Sequence, residues 1–261
     1  MNLQEKQEKV KDFRPIDDVF FEVLAKNPAV CQEILRVILE DDALTVLQVT
    51  TQNSERNLYG RSVRLDALCT LGNGTKCNIE VQRSNNDDHL KRTRFNASSI
   101  TVKESNPGEY FKDILELYIV YISEFDFLKE GKTIYHVDKI LRETGTVIDD
   151  GLHEIFVNTV IDDGTDIAEL MSCFLKKEVI HPKFPILSAE VTRLKETEGG
   201  TRAMCEVMEH YENLAVKNAN IEKIIRMLEL NCSKEFVLSI GYTEDEFSEA
   251  EKQILHQQNK Q

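Results

Sequence analysis

The chain has 261 residues, with 32 Lys and Arg against 46 Asp and Glu, and its formal net charge is −14. Its hydrophobic fraction of 41% is enough for a packed core in one large domain or a domain with an appendage. The excess of acid argues against a protein that binds nucleic acid over its whole surface. Because no apolar run approaches the length of a membrane span and residues 1–13 contain no apolar signal segment, we expect a cytoplasmic protein without a membrane partner.

The cysteines indicate thiols rather than a zinc site. No pair has the spacing of two residues that structural zinc sites use, and a reducing cytosol disfavours disulfides. We expect most of the six to be small buried side chains, at positions 31, 69, 77, 173, 205 and 232.

The first half of the chain alternates helices and strands. Asn27 followed by Pro28 predicts a helix start inside the apolar stretch 16–40, which therefore holds two helices. The later elements are predicted from β-branched runs, turn residues and apolar spacing: a strand at 44–52, a hairpin at 62–82, a helix at 87–103 capped by Asp87 or Asp88, and a buried strand at 115–122. By itself, this pattern indicates α/β or α+β architecture.

The second half ends in helices. Strands are predicted at 133–142 and 152–161, and helices at 166–177, 187–197 and throughout 201–261. Apolar residues from Met204 to Leu228 recur every three to four positions. Such a stripe is either a homodimer seam through helix 201–230 or, more commonly, a face that packs on its own domain.

The hairpin carries the residues with the clearest chemistry. Side chains alternate between the two faces of a strand, so Asp66 on the first strand and Glu80 and Gln82 on the second fall on the polar face. If the two polar faces coincide, the carboxylates converge and suit a hard divalent cation such as Mg²⁺. The alternative is that Asp66 and Glu80 are ordinary solvated residues of a half-exposed sheet.

These residues carry a resemblance to a known family. Asp66 followed by Glu80-Val81-Gln82 resembles the D…ExQ variant of the PD-(D/E)XK nuclease motif, and the strings Asn57–Asp66 and Lys91–Ser99 resemble the Rpn-type recombination-promoting nucleases, also described as PD-(D/E)XK nuclease family transposases. The resemblance covers roughly residues 12–215. Shorter matches lie at Asn106–Gly108, Ile134–His136, Glu143–Gly145, Leu194–Glu196, Gly199–Gly200 and Met204–Cys205.

The resemblance implies a fold and an activity. The fold would be a restriction-endonuclease-like core, a mixed sheet flanked by helices, over residues 1–200 with the strands of 133–161 included, followed by a helical tail at 201–261. The activity would be Mg²⁺- or Mn²⁺-dependent hydrolysis of DNA phosphodiester bonds by an endonuclease, linked to recombination or mobile elements.

The resemblance also assigns roles to residues. Asp66 and Glu80 would hold the metal, and Gln82 would orient a water molecule or a phosphate oxygen. Basic residues outnumber acidic ones by seven to four between positions 61 and 100, where DNA phosphate would sit. Its candidate ligands are Arg64, Arg92 and Arg94. Because Arg92 and Arg94 are two residues apart on a helix, at most one of them points straight at the site.

The leading helix carries three further acidic residues. Asp17 and Asp18 match the opening motif of the family, and we interpret them mainly as N-terminal caps of this helix. Glu22 would be an accessory third carboxylate, and the alternative is a surface glutamate.

Two departures from the family pattern keep a second function open. Glu22 stands where the family often has Lys, and Gln82 stands where the wider superfamily has Lys. An amide neither titrates nor supplies positive charge. The alternative function is therefore a catalytically degenerate module of the same fold that binds DNA or protein, and dependence on a divalent metal separates the two.

Overall fold

The structure, a computed structural model, describes residues 3–55 and 63–258, apart from the side chains of 3, 52–55, 63, 64 and 256–258. The chain divides into two compact units, residues 1–205 and residues 206–261. In the described ranges, no helix is long and apolar enough to cross a membrane.

The first unit contains a sheet and the helices that cover it. Its helices are α1 (Leu3–Asp12), α2 (Asp18–Leu24), α3 (Pro28–Ile38), α4 (His89–Glu104), α5 (Asp166–Phe174), α6 (Pro185–Glu196) and the start of α7 (Glu198–Glu229). Its strands are β1 (Val46–Glu55), β2 (Val63–Leu71), β3 (Lys76–Gln82), β4 (Leu117–Ser123), β5 (Ile134–Val137), β6 (Lys139–Ile140), β7 (Val147–Ile148) and β8 (Leu152–Asn158).

Six of these strands form one mixed sheet in the order β1-β2-β3-β4-β8-β5. The pairs β1–β2, β2–β3 and β8–β5 are antiparallel, whereas β3–β4 and β4–β8 are parallel. A parallel pair needs a long crossover connection, and α4 provides the one between β3 and β4. The predicted mixed sheet flanked by helices is confirmed.

One predicted strand is divided. The segment 133–142 contributes β5 to the main sheet, but its continuation β6 pairs with β7 in a separate two-stranded sheet. Strand β8 runs antiparallel to β5 and begins at Leu152, only two residues before Glu154, the partner of Val137. Strand β8 therefore offers no partner more than two residues beyond Val137. Beyond that point the chain pairs with β7 instead.

Helices cover both faces of the sheet. Leu68 and Cys69 are neighbours on β2 and therefore point to opposite faces. Leu68 packs with Ala97 and Ile100 of α4. On the other face, Cys69 and Cys31 of α3 are both buried, and their side chains interact. The predicted α3 start is also confirmed, because the Asn27 side chain accepts from the backbone N–H of the residue after Pro28 at 3.1 Å.

Lys195 of α6 fixes the segment that leads into α2. Its buried ammonium donates to the carbonyl oxygens of Lys11 at 3.0 Å, of Phe13 at 2.5 Å and of Lys177. The ammonium also lies 5.3 Å from the ring centroid of Phe20. Burial lowers the pKa of Lys195 to about 8, so the side chain is still mostly charged at neutral pH.

The second unit has a small core of its own. The C-terminal part of α7 packs with α8 (Lys234–Ser239) and α9 (Glu244–Gln258) around Ile221, Ile224, Val237, Phe247 and Ala250. Ile225 and Leu228 line the same core, so the end of the predicted stripe packs on neighbouring helices of its own chain. Residues 213–219 of α7 are exposed.

We expect Lys195→Met to lower the free energy of unfolding by about 2–4 kcal/mol, because three carbonyl groups lose their charged donor. Lys177→Met is the matched control, since that side chain forms an exposed ion pair with Asp12 at 2.6 Å. Denaturant unfolding of both variants measures the difference. Equal stability of the two variants would contradict an anchoring role for Lys195.

Candidate active site

Asp66 and Glu80 meet where β2 and β3 lie side by side. The register pairs Ala67 with Ile79, which places Asp66 opposite Glu80 on the face that α4 covers. The backbone N–H of Val81 donates to Oδ2 of Asp66 at 2.9 Å. The backbone of Asp66 in turn lies near the Glu80 carboxylate and acts on its pKa. The two acidic residues therefore interlock across the strand pair.

Glu80 is a buried carboxyl group held by two amides. Only 4% of the residue is exposed, and its Oε1 accepts from Nδ2 of Asn78 at 2.9 Å and from Nδ2 of Asn96 at 3.0 Å. Burial raises the pKa of the Glu80 carboxyl to about 7, although the Asn78 hydrogen bond and the positive charge of Arg92 act in the opposite direction. The negative charge of Asp18 on α2 raises this pKa further.

A chain of hydrogen bonds attaches the start of α4 to β4. Asn85 Oδ1 can only accept, so His89 Nε2, 2.9 Å away, carries the proton, and Nδ1 accepts from the Tyr121 hydroxyl at 2.8 Å. Phe125 and Phe127 each lie 4.9 Å from the His89 ring, centroid to centroid. Burial lowers the pKa of His89, which agrees with a neutral ring.

Of the two predicted arginines on α4, Arg92 is the one near Glu80. Its charge acts on the pKa of both Glu80 and Tyr121. Its closest ion-pair contact is a loose one, 3.6 Å from Nη2 to Asp88, and its buried Nε has no hydrogen-bond partner among the described residues. Arg94 is exposed. A charged guanidinium with unused donors is suited to bind an anion.

Asp17 and Asp88 occupy helix N-terminal positions without capping them. Neither side chain makes a capping hydrogen bond, which corrects the sequence interpretation. Asp17 instead pairs with Arg83 at 2.9 Å and with Arg14 at 3.3 Å. Glu124, just after β4, binds the same two arginines at 3.3 and 2.7 Å. This four-residue network joins the start of α2 to the ends of β3 and β4.

The other predicted residues have different positions. The amide nitrogen of Gln82 donates to the carbonyl of Ser84 at 2.6 Å, so the loop after β3 engages it. Glu22 is buried, and the surface alternative for this residue is wrong. Arg64 lies on β2, but its side chain is outside the described part of the structure.

The oxygen donors at this site fit a hard divalent cation. Within residues 3–55 and 63–258, no group of three His, Cys, Asp or Glu side chains is arranged to hold a metal. Asp66 and Glu80 alone would supply two carboxylates. This suits Mg²⁺ or Mn²⁺, because Mg²⁺ commonly binds one or two carboxylates and completes its octahedron with water and substrate phosphate. A nearby cation would also hold Glu80 in its charged form.

Sequence reasoning missed four of the residues at this site: Asn78, Asn96, His89 and Tyr121. The string Lys91–Ser99 supports the family resemblance, but only Arg92 and Arg94 within it were predicted as site residues. Asn96 carried a usable signal, since it lies one helical turn from buried Thr93 and Ile100 and therefore on the buried face of α4. A buried polar side chain requires a hydrogen-bond partner.

We expect the metal-free protein to lose stability as pH rises from about 4.5 to 7. Folded Glu80 binds its proton more tightly than unfolded Glu80, so the stabilisation is complete below pH 4.5 and disappears through pH 7. Glu80→Gln removes this pH dependence, and its free energy of unfolding would exceed that of the wild type by up to roughly 3 kcal/mol near neutral pH. Thermal unfolding against pH measures it, and parallel curves for the two proteins would contradict it.

The comparisons with known proteins agree with this geometry. The family described as PD-(D/E)XK nuclease family transposase matches residues 16–160, more than half of the chain. That range contains α2, the hairpin with Asp66 and Glu80, α4 and β4. Neither the curated proteins nor the solved structures give a significant match. The suspected family is confirmed, and the chain belongs to the PD-(D/E)XK nuclease family transposases.

Proposed function

We propose that the protein is a DNA endonuclease that hydrolyses phosphodiester bonds with Mg²⁺ or Mn²⁺. The observation that carries the proposal is the interlocked pair of Asp66 and Glu80, in which a buried carboxyl group lies next to a second one. A buried carboxylate next to a second acidic residue is costly for a fold unless a cation neutralises it. Perturbed titratable groups of this kind are typical of functional sites.

Each residue of the site has a distinct task in this proposal. Asp66 and Glu80 hold the metal through carboxylate oxygens, and the bound ion supplies Lewis acidity and a water of lowered pKa. Arg92 binds the phosphate and stabilises its developing charge. Gln82 orients water or a phosphate oxygen after releasing the Ser84 carbonyl, because an amide positions groups but does not act as a base.

We expect Asp66→Ala to abolish metal-dependent nicking of plasmid DNA while the protein stays folded. Asp66 is only half-buried and lies on the polar face of β2, so the change does not remove core packing. The control is Glu116→Ala, which removes an exposed carboxylate just before β4 and should cut like wild type. Gel analysis of supercoiled plasmid with Mg²⁺, Mn²⁺ or EDTA measures nicking, and equal activity of wild type and Asp66→Ala would refute the mechanism.

We expect Arg92→Ala to lower the cleavage rate far more than Arg94→Ala. Loss of one group that stabilises transition-state charge typically costs 10²–10³-fold in rate. Arg94 is the matched control on the same helix, because it is exposed and would contribute only general attraction to DNA. Single-turnover cleavage rates of the two variants decide the point. A larger loss in Arg94→Ala would show that the phosphate is bound elsewhere.

A catalytically degenerate module that binds DNA or protein is the second candidate. Two observations favour it: Gln82 replaces the lysine of the wider superfamily, and its amide is engaged by the Ser84 carbonyl. A folded wild type that binds DNA without metal and never cuts it would support this candidate. A requirement of both Asp66 and Glu80 for Mn²⁺ binding would argue against it.

The setting is also part of the proposal. The family name suggests a role in recombination or mobile-element biology. The six free cysteines fit a reducing compartment, and we propose the cytoplasm.

The domain boundary near residue 200 and the homodimer through helix 201–230 stay predictions. The exposed Leu214 and Val216 would lie in such a seam, and sedimentation of the full chain tests it.

A further inference from the structure

We propose that Asn96 of α4 and Asn78 of β3 are positioning residues that hold Glu80 in its metal-binding orientation. The inference rests on the proposed function and deepens it, because it adds two side chains to the metal site that the sequence motif does not contain. Both amides donate to the same carboxylate oxygen, Oε1, at 2.9 and 3.0 Å.

The geometry leaves Glu80 little freedom. Asn78 is fully buried, and Asn96 and Glu80 are 5% and 4% exposed. One amide comes from the same strand and the other from the helix above it, so the two donors approach Oε1 from different elements. A carboxylate restrained from two sides cannot rotate to another rotamer without losing a buried hydrogen bond. Partners of this kind orient metal-binding side chains in other proteins.

Fold stability alone does not account for Asn78. Its Nδ2 is used on Glu80, but its buried Oδ1 has no hydrogen-bond partner among the described residues. Leaving a buried acceptor unsatisfied costs free energy, which an apolar side chain at this position would avoid. The hydrogen bond to Glu80 compensates for this cost, so the role of the Asn78 amide is to hold the carboxylate and not to pack the core.

Helix α4 is fixed firmly enough to place Asn96. Besides the hydrogen bond between His89 and Tyr121, Lys76 of β3 pairs with Glu104 at 2.9 Å. These contacts lie at the start and the end of the helix. The same helix carries Arg92, so its docking sets the metal-binding carboxylate and the phosphate-binding arginine together.

Calorimetric titration of the full-length, metal-free protein with Mn²⁺ tests the proposal without relying on activity. We expect Asn96→Leu and Asn96→Ala to weaken Mn²⁺ binding about 10- to 100-fold, the usual effect of losing an outer-shell partner. Thr93→Val is the matched control, because Thr93 is buried on the same helix and bonds Glu154 rather than Glu80. It should bind Mn²⁺ like wild type. Circular dichroism checks that each variant is folded. If Asn96→Leu does not fold, the Mn²⁺ affinity of Asn96→Ala decides the question.

Three outcomes would overturn the inference, and they are distinguishable. If wild type binds Mn²⁺ through Asp66 and Glu80 but both Asn96 variants bind equally well, the positioning role is wrong and the proposed function stands. If Thr93→Val loses as much affinity as the Asn96 variants, docking of α4 in general is responsible. If the wild type binds no Mn²⁺, the proposed metal-dependent function fails as well.

Discussion

The burial of the Glu80 carboxyl group is the constraint on which the rest of the site depends. A carboxylate in the interior must be hydrogen-bonded or neutralised, and here both requirements shape the surroundings. Asn78 and Asn96 supply hydrogen bonds, and the charge of Arg92 opposes the effect of burial. Even so, the pKa remains raised to about 7. A site that keeps a carboxyl group buried with a raised pKa is suited to bind a cation, because the cation would stabilise the charged form.

Helix α4 connects the surroundings of Glu80 to the rest of the sheet. It is the crossover between the parallel strands β3 and β4, so the topology itself places it over the polar face of the hairpin. Its apolar residues Ala97 and Ile100 pack on that face next to Asn96. At its start, His89 ties it to Tyr121. Asn96 and Arg92, which would orient the metal-binding carboxylate and the phosphate, thus come from one rigid element, a favourable arrangement for a catalytic site.

The sequence predicts only those features of the site that depend on residues close together in the chain. Strand alternation has a period of two, so it brings Asp66 and Glu80 to one face as soon as the hairpin is recognised. Asn96 was missed because helical periodicity identifies a buried face but not the strand residue opposite it. The misassigned role of Asp17 has a similar cause: a cap is a local pattern, whereas its partner Arg83 is 66 positions away and is brought close only by the fold.

Anomalous scattering from crystals of the full-length protein grown with Mn²⁺ is the most direct test of the central claim. We expect a peak at coordination distance from carboxylate oxygens of both Asp66 and Glu80. We also expect this peak to disappear in Asp66→Ala crystals. A peak bound by other side chains, or one that persists unchanged in Asp66→Ala, would contradict the assignment of the interlocked carboxylates as the metal site.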